Sequence, residues 1–304
     1  MLKHVALLLL LFAAMSAEAK VRAAGRGGRV DEVIRGFQRI SATVPFTTPS
    51  FWAWELQLAI AKGDEELARG LARVLYGLQE PDGSWPLGTD WVRAEWDFKH
   101  RLADDSESWE VAEVANALLD YAKAFGDAEA VVRAARAAEY LKNAVEYVDG
   151  KPYLPHMPEC NHILQAHSTV NAAFLLSRIA GYEALGQELK AAGVSMNFQR
   201  IITYRNLEKL EPPLVGMEIN DYEKIQIGWY LLQMGDPYGQ MILDRYREMK
   251  DINSPRGAVY LVLVYTRLGD PARARHFATL QKGFRPTNRG YDYALRDFID
   301  YALR

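Results

Sequence analysis

From residue 30 onward, apolar side chains return every three or four positions, the period of a helix with one buried face. The spacing predicts about twelve helices: Val30–Val44, Pro49–Lys62, Asp64–Leu78, Asp105–Phe125, Asp127–Val148, Asn161–Tyr182, Ala184–Leu210, Asn220–Met234, Pro237–Lys250, Ser254–Leu268, Pro271–Gln281 and Gly290–Leu303. Alternating strand patterns are almost absent. Helices break at "KGDEE", "FGDAEA", "MGDPYG" and "LGDPAR", each with Gly followed by Asp. Gly suits the left-handed residue after a helix, and Asp caps the next one. These tight turns make antiparallel hairpins, and longer connections rich in Pro, Trp and Asn lead into the next pair. A hairpin unit therefore repeats about six times.

The members of a pair differ in composition. "DEELARGLARVLYGL" and "PARARHFATL" carry charge on one face, whereas "SWEVAEVANALL", "LQAHSTVNAAFLL", "YEKIQIGWYLL" and "RGAVYLVLVYTRL" are apolar nearly all round. The second kind belongs inside. An all-α, (α/α)6 toroid of inner and outer helices, one domain over residues 30–304, is the expected fold.

The ends and the charge balance narrow the setting. Residues 1–19 have a basic start at Lys3, an apolar run from Val5 to Ala14 and the small residues Ala17 and Ala19, the pattern of a signal peptide cut before Lys20. Residues 20–29 are a glycine-rich basic lead-in. Secretion, extracellular or periplasmic, is the expectation, with no stable membrane span once the leader is removed. Lys and Arg number 36 against 39 Asp and Glu, so no electrostatic footprint for nucleic acid exists. Cys160 stands alone, which rules out an internal disulfide and leaves stability to packing. The chain is expected to act as a monomer.

Candidate chemistry lies where connections enter the inner helices, because those ends share one mouth of a ring. Stripes of polar and aromatic residues recur there at helical spacing: Ser50, Trp54 and Gln57; Asp105, Trp109 and Glu113; Asn161, Gln165 and Thr169; Tyr222, Gln226, Trp229 and Gln233. Six of seven tryptophans, Trp52, Trp54, Trp85, Trp91, Trp96 and Trp109, crowd between residues 52 and 109. Indole faces stack on sugar rings as well as in cores. Asp104 and Asp105 sit at a helix start, where the dipole favours the ionised form and suits a base, a cap or a cation ligand. A calcium ion there is compatible with the pair, and no other cofactor is expected. His162 and His167 stand about 140° apart on one helix, which argues against a shared zinc.

The stretch "RGLARVLYGLQEPDGSW" resembles the repeat motif of the terpenoid cyclase and prenyltransferase toroids, through Arg69, Gly70, Gln79, Gly83 and Trp85. Its broader form, Gln then Asp-Gly-x-Trp-Pro, is similar to a turn of helical-toroid polysaccharide lyases, including one pectate lyase family. Gly83 and Gln79 read as a structural brace, with Trp85 stacked on the turn. Cyclases that protonate an alkene use Asp-x-Asp-Asp, whereas this segment reads Leu102-Ala103-Asp104-Asp105. The resemblance to toroidal uronate lyases implies acid–base work by one histidine, with His162 the candidate, beside Asn161 and Tyr153 or Tyr222, and a carboxylate partner in Arg101, Arg256 or Arg289. Hydrolysis instead needs two opposed carboxylates, Asp104 or Asp105 against Glu218 or Asp221.

The sequence thus points to a secreted carbohydrate-active enzyme, a polysaccharide lyase, glycoside hydrolase or uronate epimerase working on a polysaccharide or oligosaccharide. Its candidate catalytic residues are Asp104, Asp105, His162, Tyr222 and Asp221. The candidate binding residues are Trp54, Trp91, Trp96, Trp109, Asn161, Gln165, Glu218, Gln226, Trp229, Arg256 and Arg289. The alternatives are a cyclase-like toroid acting on an isoprenoid and a non-catalytic carbohydrate- or protein-binding module.

Overall fold

A computed structural model describes residues 48–85, 106–158, 163–202, 220–247, 255–286 and 290–304. Eleven helices run through them: α1 (Pro49–Lys62), α2 (Glu65–Leu78), α3 (Ser108–Phe125), α4 (Ala128–Asn143), α5 (Ala166–Ser177), α6 (Glu183–Ser195), α7 (Asp221–Gln233), α8 (Pro237–Arg247), α9 (Pro255–Arg267), α10 (Pro271–Leu280) and α11 (Gly290–Leu303). The expected helix Val30–Val44 lies outside the described residues.

The tight turns form as their chemistry dictates. Gly63, Gly126, Gly235 and Gly269 take left-handed φ angles of 67°, 77°, 72° and 69°. The next residue then caps the following helix: Asp64, Asp127, Asp236 and Asp270 accept backbone N–H bonds at 2.8–3.1 Å from Leu67, Glu129, Tyr238 and Arg273.

Odd-numbered helices form the inner layer. Nearly every described side chain of α3 from Ser108 to Leu119 is buried, as is every one of α5 from Ala166 to Leu176. On α2, by contrast, burial is confined to Ala68, Gly70, Leu71, Ala72 and Leu75. The inner helices meet in the order α1, α3, α5, α7, α9, α11, and α11 packs back on α1. The ring is therefore closed.

All six inner helices run the same way. Ser50 meets Glu110 near the starts of α1 and α3, and Gln57 meets Asp120 near their ends. His167 meets Tyr222 at the starts of α5 and α7, while Phe174 meets Tyr230 lower down. Arg256 reaches Asp292 at the starts of α9 and α11, and Tyr301 donates to the Ala61 carbonyl at the ends of α11 and α1. One face of the ring thus carries the six inner N-termini, and the other the C-termini.

The structure departs from periodicity at three places. The helix predicted to Val148 stops at Asn143, and β1 (Glu146–Val148) pairs with β2 (Lys151–Tyr153) across Asp149-Gly150. Both turn residues have positive φ, 51° and 75°, the backbone that Asp-Gly favours in a two-residue hairpin. The helix predicted from Asn161 starts at Ala166, because β3 (Ile163–Gln165) pairs with β4 (Arg200–Ile202). That pairing also ends α6 at Ser195, short of the predicted Leu210.

The turn Gln79-Glu80-Pro81-Asp82-Gly83-Ser84-Trp85 braces α2 against α4. Gly83 has φ 102°, and a Cβ there would lie 2.4 Å from the Arg136 carbonyl oxygen. Gln79 Nε2 donates to the carbonyls of Gly83 and Arg133, at 3.0 and 2.9 Å. Trp85, fully buried, donates from Nε1 to the Leu75 carbonyl at 2.8 Å. Its indole closes the end of α2.

Candidate functional site at the N-terminal mouth of the ring

Of the stripes read along the inner helices, Ser50, Trp54, Gln57, Trp109, Glu113, Gln226 and Trp229 turn inward, and many of them bond to one another. Thr169 instead faces Gly193 of the outer helix α6, Gln233 is exposed, and Asp105 and Asn161 lie outside the described residues. On α1, Ser50, Trp54 and Gln57 donate in sequence to Glu110, Glu113 and Asp120 of α3, at 2.6, 3.0 and 2.8 Å. Three successive side chains on one face of α1 therefore meet three carboxylates on one face of α3, as helical spacing allows.

Glu113 anchors the middle of the ring. It accepts from Trp54 of α1, Gln226 and Tyr230 of α7 and Arg267 of α9, the Arg267 ion pair measuring 2.5 Å. Arg267 lies over the Trp229 ring, 4.7 Å from its centroid. Glu113 and the Arg267 side chain are almost wholly buried, so a charged pair closes the ring at mid-height in place of aliphatic packing. The adjacent carboxylate holds the Arg267 proton more firmly than usual, despite burial.

The network continues upward through an oriented amide. Gln226 gives its Nε2 to the Glu113 carboxylate at 2.7 Å, so its Oε1 faces His167 Nε2. The carboxylate thereby fixes the amide, whose oxygen favours the Nε2–H tautomer of His167 over the longer 3.3 Å approach of the Asn171 amide nitrogen to the same atom. Burial lowers the His167 pKa, outweighing the Glu223 carboxylate 3.8 Å from Nδ1. The imidazole is therefore neutral at neutral pH. Its ring packs 5.2 Å from Trp109 and 6.2 Å from Tyr222, centroid to centroid.

Above this lies the mouth. Glu110, 2% exposed on the first turn of α3, accepts from Ser50, whose hydroxyl also bonds Thr48 at 2.7 Å. Among the described residues, its Oε2 is buried with no well-aligned partner. Burial, then the neighbouring Glu107, pushes the Glu110 carboxyl up to about 8. It is protonated at neutral pH. Glu107 is held by Trp109 Nε1 and faces His156 Nε2 at 3.4 Å. Tyr222 stands under the Arg256 guanidinium, 5.2 Å away, and Arg256 lies 3.8 Å from Asp292. Burial raises the Tyr222 pKa further above its ordinary value.

Of the residues named from sequence, Trp54, Trp109, Gln226 and Trp229 point into the ring, and Tyr222 and Arg256 stand at its mouth. Gln165 is buried on β3, immediately before α5. Asp221 instead turns outward and accepts from Tyr246 of the outer helix α8 at 3.1 Å. Asp104, Asp105, His162, Trp91, Trp96, Asn161, Glu218 and Arg289 lie outside the described residues, and the calcium expectation at Asp104 and Asp105 with them. Among the described residues, no three His, Cys, Asp or Glu side chains converge as metal ligands.

The residues the sequence reading passed over are Glu107, Glu110, Glu223, Arg267, Tyr230 and Asp292. A signal for several of them was present. Ionisable residues are almost never fully buried unless paired, so Glu110 and Arg267 inside all-round apolar helices already point to partners across the ring.

No family model matches the chain, and none of the curated proteins does. Solved structures do. An α-amylase from Clostridium perfringens superposes with a TM-score of 0.57 at 11% identity, covering 84% of this chain and 87% of that one. An endoglucanase of glycosyl hydrolase family 8 from Klebsiella pneumoniae gives 0.52 at 13% identity, covering 84% and 90%. A GH8 endo-β-1,4-glucanase from an Achatina fulica gut metagenomic library gives 0.51 at 14%, covering 84% and 89%. The fold is an (α/α)6 toroid. At these identities the likeness establishes architecture, and function rests on the side chains at the mouth.

Proposed function

We propose that the protein hydrolyses glycosidic bonds of a neutral glycan at the N-terminal mouth of the toroid, with Glu110 as the proton donor. The observation that carries this is the Glu110 carboxyl itself. Burial keeps it protonated near neutral pH, Ser50 fixes one oxygen and the other has no well-aligned partner among the described residues. A general acid needs a proton held in reserve and a fixed direction in which to deliver it. The leaving-group oxygen of the cleaved bond takes that proton.

Hydrolysis also requires a carboxylate to activate water or attack the sugar. We assign this to Asp292 on α11, across α1 from Glu110 and beside Arg256. Asp104 and Asp105, just before α3, are the candidates from sequence. Trp109 and Tyr222 offer aromatic surface for a sugar ring.

The charge at the mouth selects the substrate class. With Glu110 protonated, Glu107, Glu223 and Asp292 are the carboxylates among the described residues there, against one described permanent cation, Arg256. A uronate polymer is repelled by that balance, and a neutral glycan is not. The names of the structural neighbours, an amylase and two glucanases, support the same class. A second reading, a uronate lyase, draws on Arg256 stacked over Tyr222, a cation beside a potential proton donor. The surrounding carboxyls oppose it. Secretion through the leader of residues 1–19, and action as a monomer, complete the proposal.

Purified protein incubated with starch, cellulose oligomers, xylan and polygalacturonate distinguishes these readings. New reducing ends from a neutral glycan, without ultraviolet absorbance of an unsaturated product, are the expected result. Unsaturated product from polygalacturonate establishes the lyase, and retention without turnover establishes a binding module.

A further inference from the structure

The opposite face of the ring, where the inner helices end, holds a cavity. Its volume is about 800 Å³, and it opens between the ends of α1, α9 and α11 and the start of α10. Among the described residues that line it, every charged side chain is basic: Lys62, Arg267, Arg275 and Arg304. Ile60, Ala61, Ala274 and Tyr301 supply apolar surface beside them. Cavities of a few hundred to about 1,000 Å³ with apolar walls and few polar groups are the usual size and make of small-molecule sites.

Basic residues in the last turns of α1 and α9 complement the helix dipoles, which accounts for Lys62 in part. It does not account for Arg267. That side chain is 4% exposed, and one of its nitrogens, Nη2, satisfies Glu113. Among the described residues, Nε and Nη1 are buried with no well-aligned acceptor, the neutral Tyr260 hydroxyl being the group beside them and no second anion. A buried charged donor without an acceptor costs more than a neutral one, so a site presenting two of them favours an anionic oxygen ligand. At the rim, Arg275 donates from Nε to the Ala302 carbonyl at 3.5 Å, and Lys62 lies 5.7 Å from the Tyr301 ring centroid.

We propose that this cavity binds a small organic anion, a carboxylate on an apolar or sugar frame, with Arg267 at its floor and Lys62 and Arg275 at its rim. The carboxylate oxygens accept from these three side chains, and the frame packs on Ile60, Ala274 and Tyr301. The site is separate from the mouth, on the other side of the Glu113–Arg267 pair, and stands whether or not the mouth hydrolyses glycans. Because Arg267 lies over Trp229, the bound anion also perturbs that indole.

The test is calorimetric titration of the full chain with benzoate and with galacturonate, chloride serving as the ionic-strength control and inorganic phosphate as a frameless anion. Expected are saturable heat for at least one carboxylate, a change in tryptophan emission over the same concentration range, and weaker binding of phosphate. Lys62→Gln and Arg275→Gln, both exposed and outside the buried network, each weaken the carboxylate by about tenfold, the scale of one charge-assisted hydrogen bond. No saturable heat from either carboxylate, or equal binding in the Lys62→Gln/Arg275→Gln double variant, overturns the proposal. Phosphate binding as tightly as the carboxylates overturns the assigned ligand class.

Discussion

Replacing Glu113 by Gln tests whether the centre of the toroid is held by charge. The substitution keeps shape but removes the negative charge from beside Arg267. Arg267 then has no anion, and its Nε and Nη1 already lack well-aligned acceptors among the described residues. Breaking a buried ion pair in this way costs about 3–5 kcal/mol. The new amide N–H also faces donors that the carboxylate accepted, Trp54 Nε1, Tyr230 Oη and Gln226 Nε2, and one lost bond adds about 1–3 kcal/mol. The sum, about 4–8 kcal/mol, is a large share of the roughly 5–15 kcal/mol that stabilises a typical domain. Arg267→Met should cost less, because Glu113 keeps three neutral donors, whereas Arg267 without Glu113 keeps its charge buried beside neutral oxygens only. The double variant should be less destabilised than the two single variants added together, by about 2 kcal/mol or more. Urea unfolding followed by far-ultraviolet circular dichroism, with slopes compared, reads all three. A Glu113→Gln cost below about 1 kcal/mol, or strict additivity in the double variant, refutes the reasoning.

Three further outcomes follow from other parts of the fold. Gly83→Ala places a methyl 2.4 Å from the Arg136 carbonyl oxygen at φ 102°, and should cost about 2–4 kcal/mol in urea unfolding, whereas Gly77→Ala, with open space around it, should cost nothing measurable. Glu55, at the α1–α11 seam, is pushed up to about 8 by burial and then by Asp297. A raised carboxyl pKa stabilises the fold fully below the unfolded value of about 4.5 and loses that contribution as pH rises through about 8. The urea midpoint should therefore fall between those values, and Glu55→Gln should flatten the slope, with Glu110 supplying the remainder. Trp85→Phe keeps the ring but removes the bond to the Leu75 carbonyl, and should cost about 1–3 kcal/mol, read as a lowered thermal midpoint.

The hairpin plan was legible because its signals are local. Gly followed by Asp at four turns, and helices apolar nearly all round against helices charged on one face, mark the two layers in the sequence itself. Ring closure was not legible in the same way. It depends on α11 meeting α1 through pairs such as Tyr301 with Ala61, which no spacing reveals. The β1–β2 hairpin was missed although Asp149-Gly150 signals it, because the Ala-rich helical pattern before it continues without a break. The polar stripes of α1, α3 and the upper part of α7 face inward, whereas Thr169 faces the outer helix α6 and Gln233 is exposed, and the destination of the inward groups depended on charge. Ser50, Trp54 and Gln57 find carboxylates on α3 that sit within an otherwise apolar sequence. Asp221 illustrates the converse: on the first turn of an inner helix, it still turns toward Tyr246 outside.

The central claim, that Glu110 delivers a proton to a neutral glycan, is tested most directly by the pH dependence of kcat/KM for reducing-end release, in wild type and in Glu110→Gln. The wild-type rate should fall on the alkaline side with an apparent pKa near 8, as the buried carboxyl loses its proton, and Glu110→Gln should lose activity by a hundredfold or more, roughly the worth of a general acid, while unfolding at an unchanged or higher urea concentration. An alkaline limb that persists unaltered in Glu110→Gln, with turnover near the wild-type rate, contradicts the account.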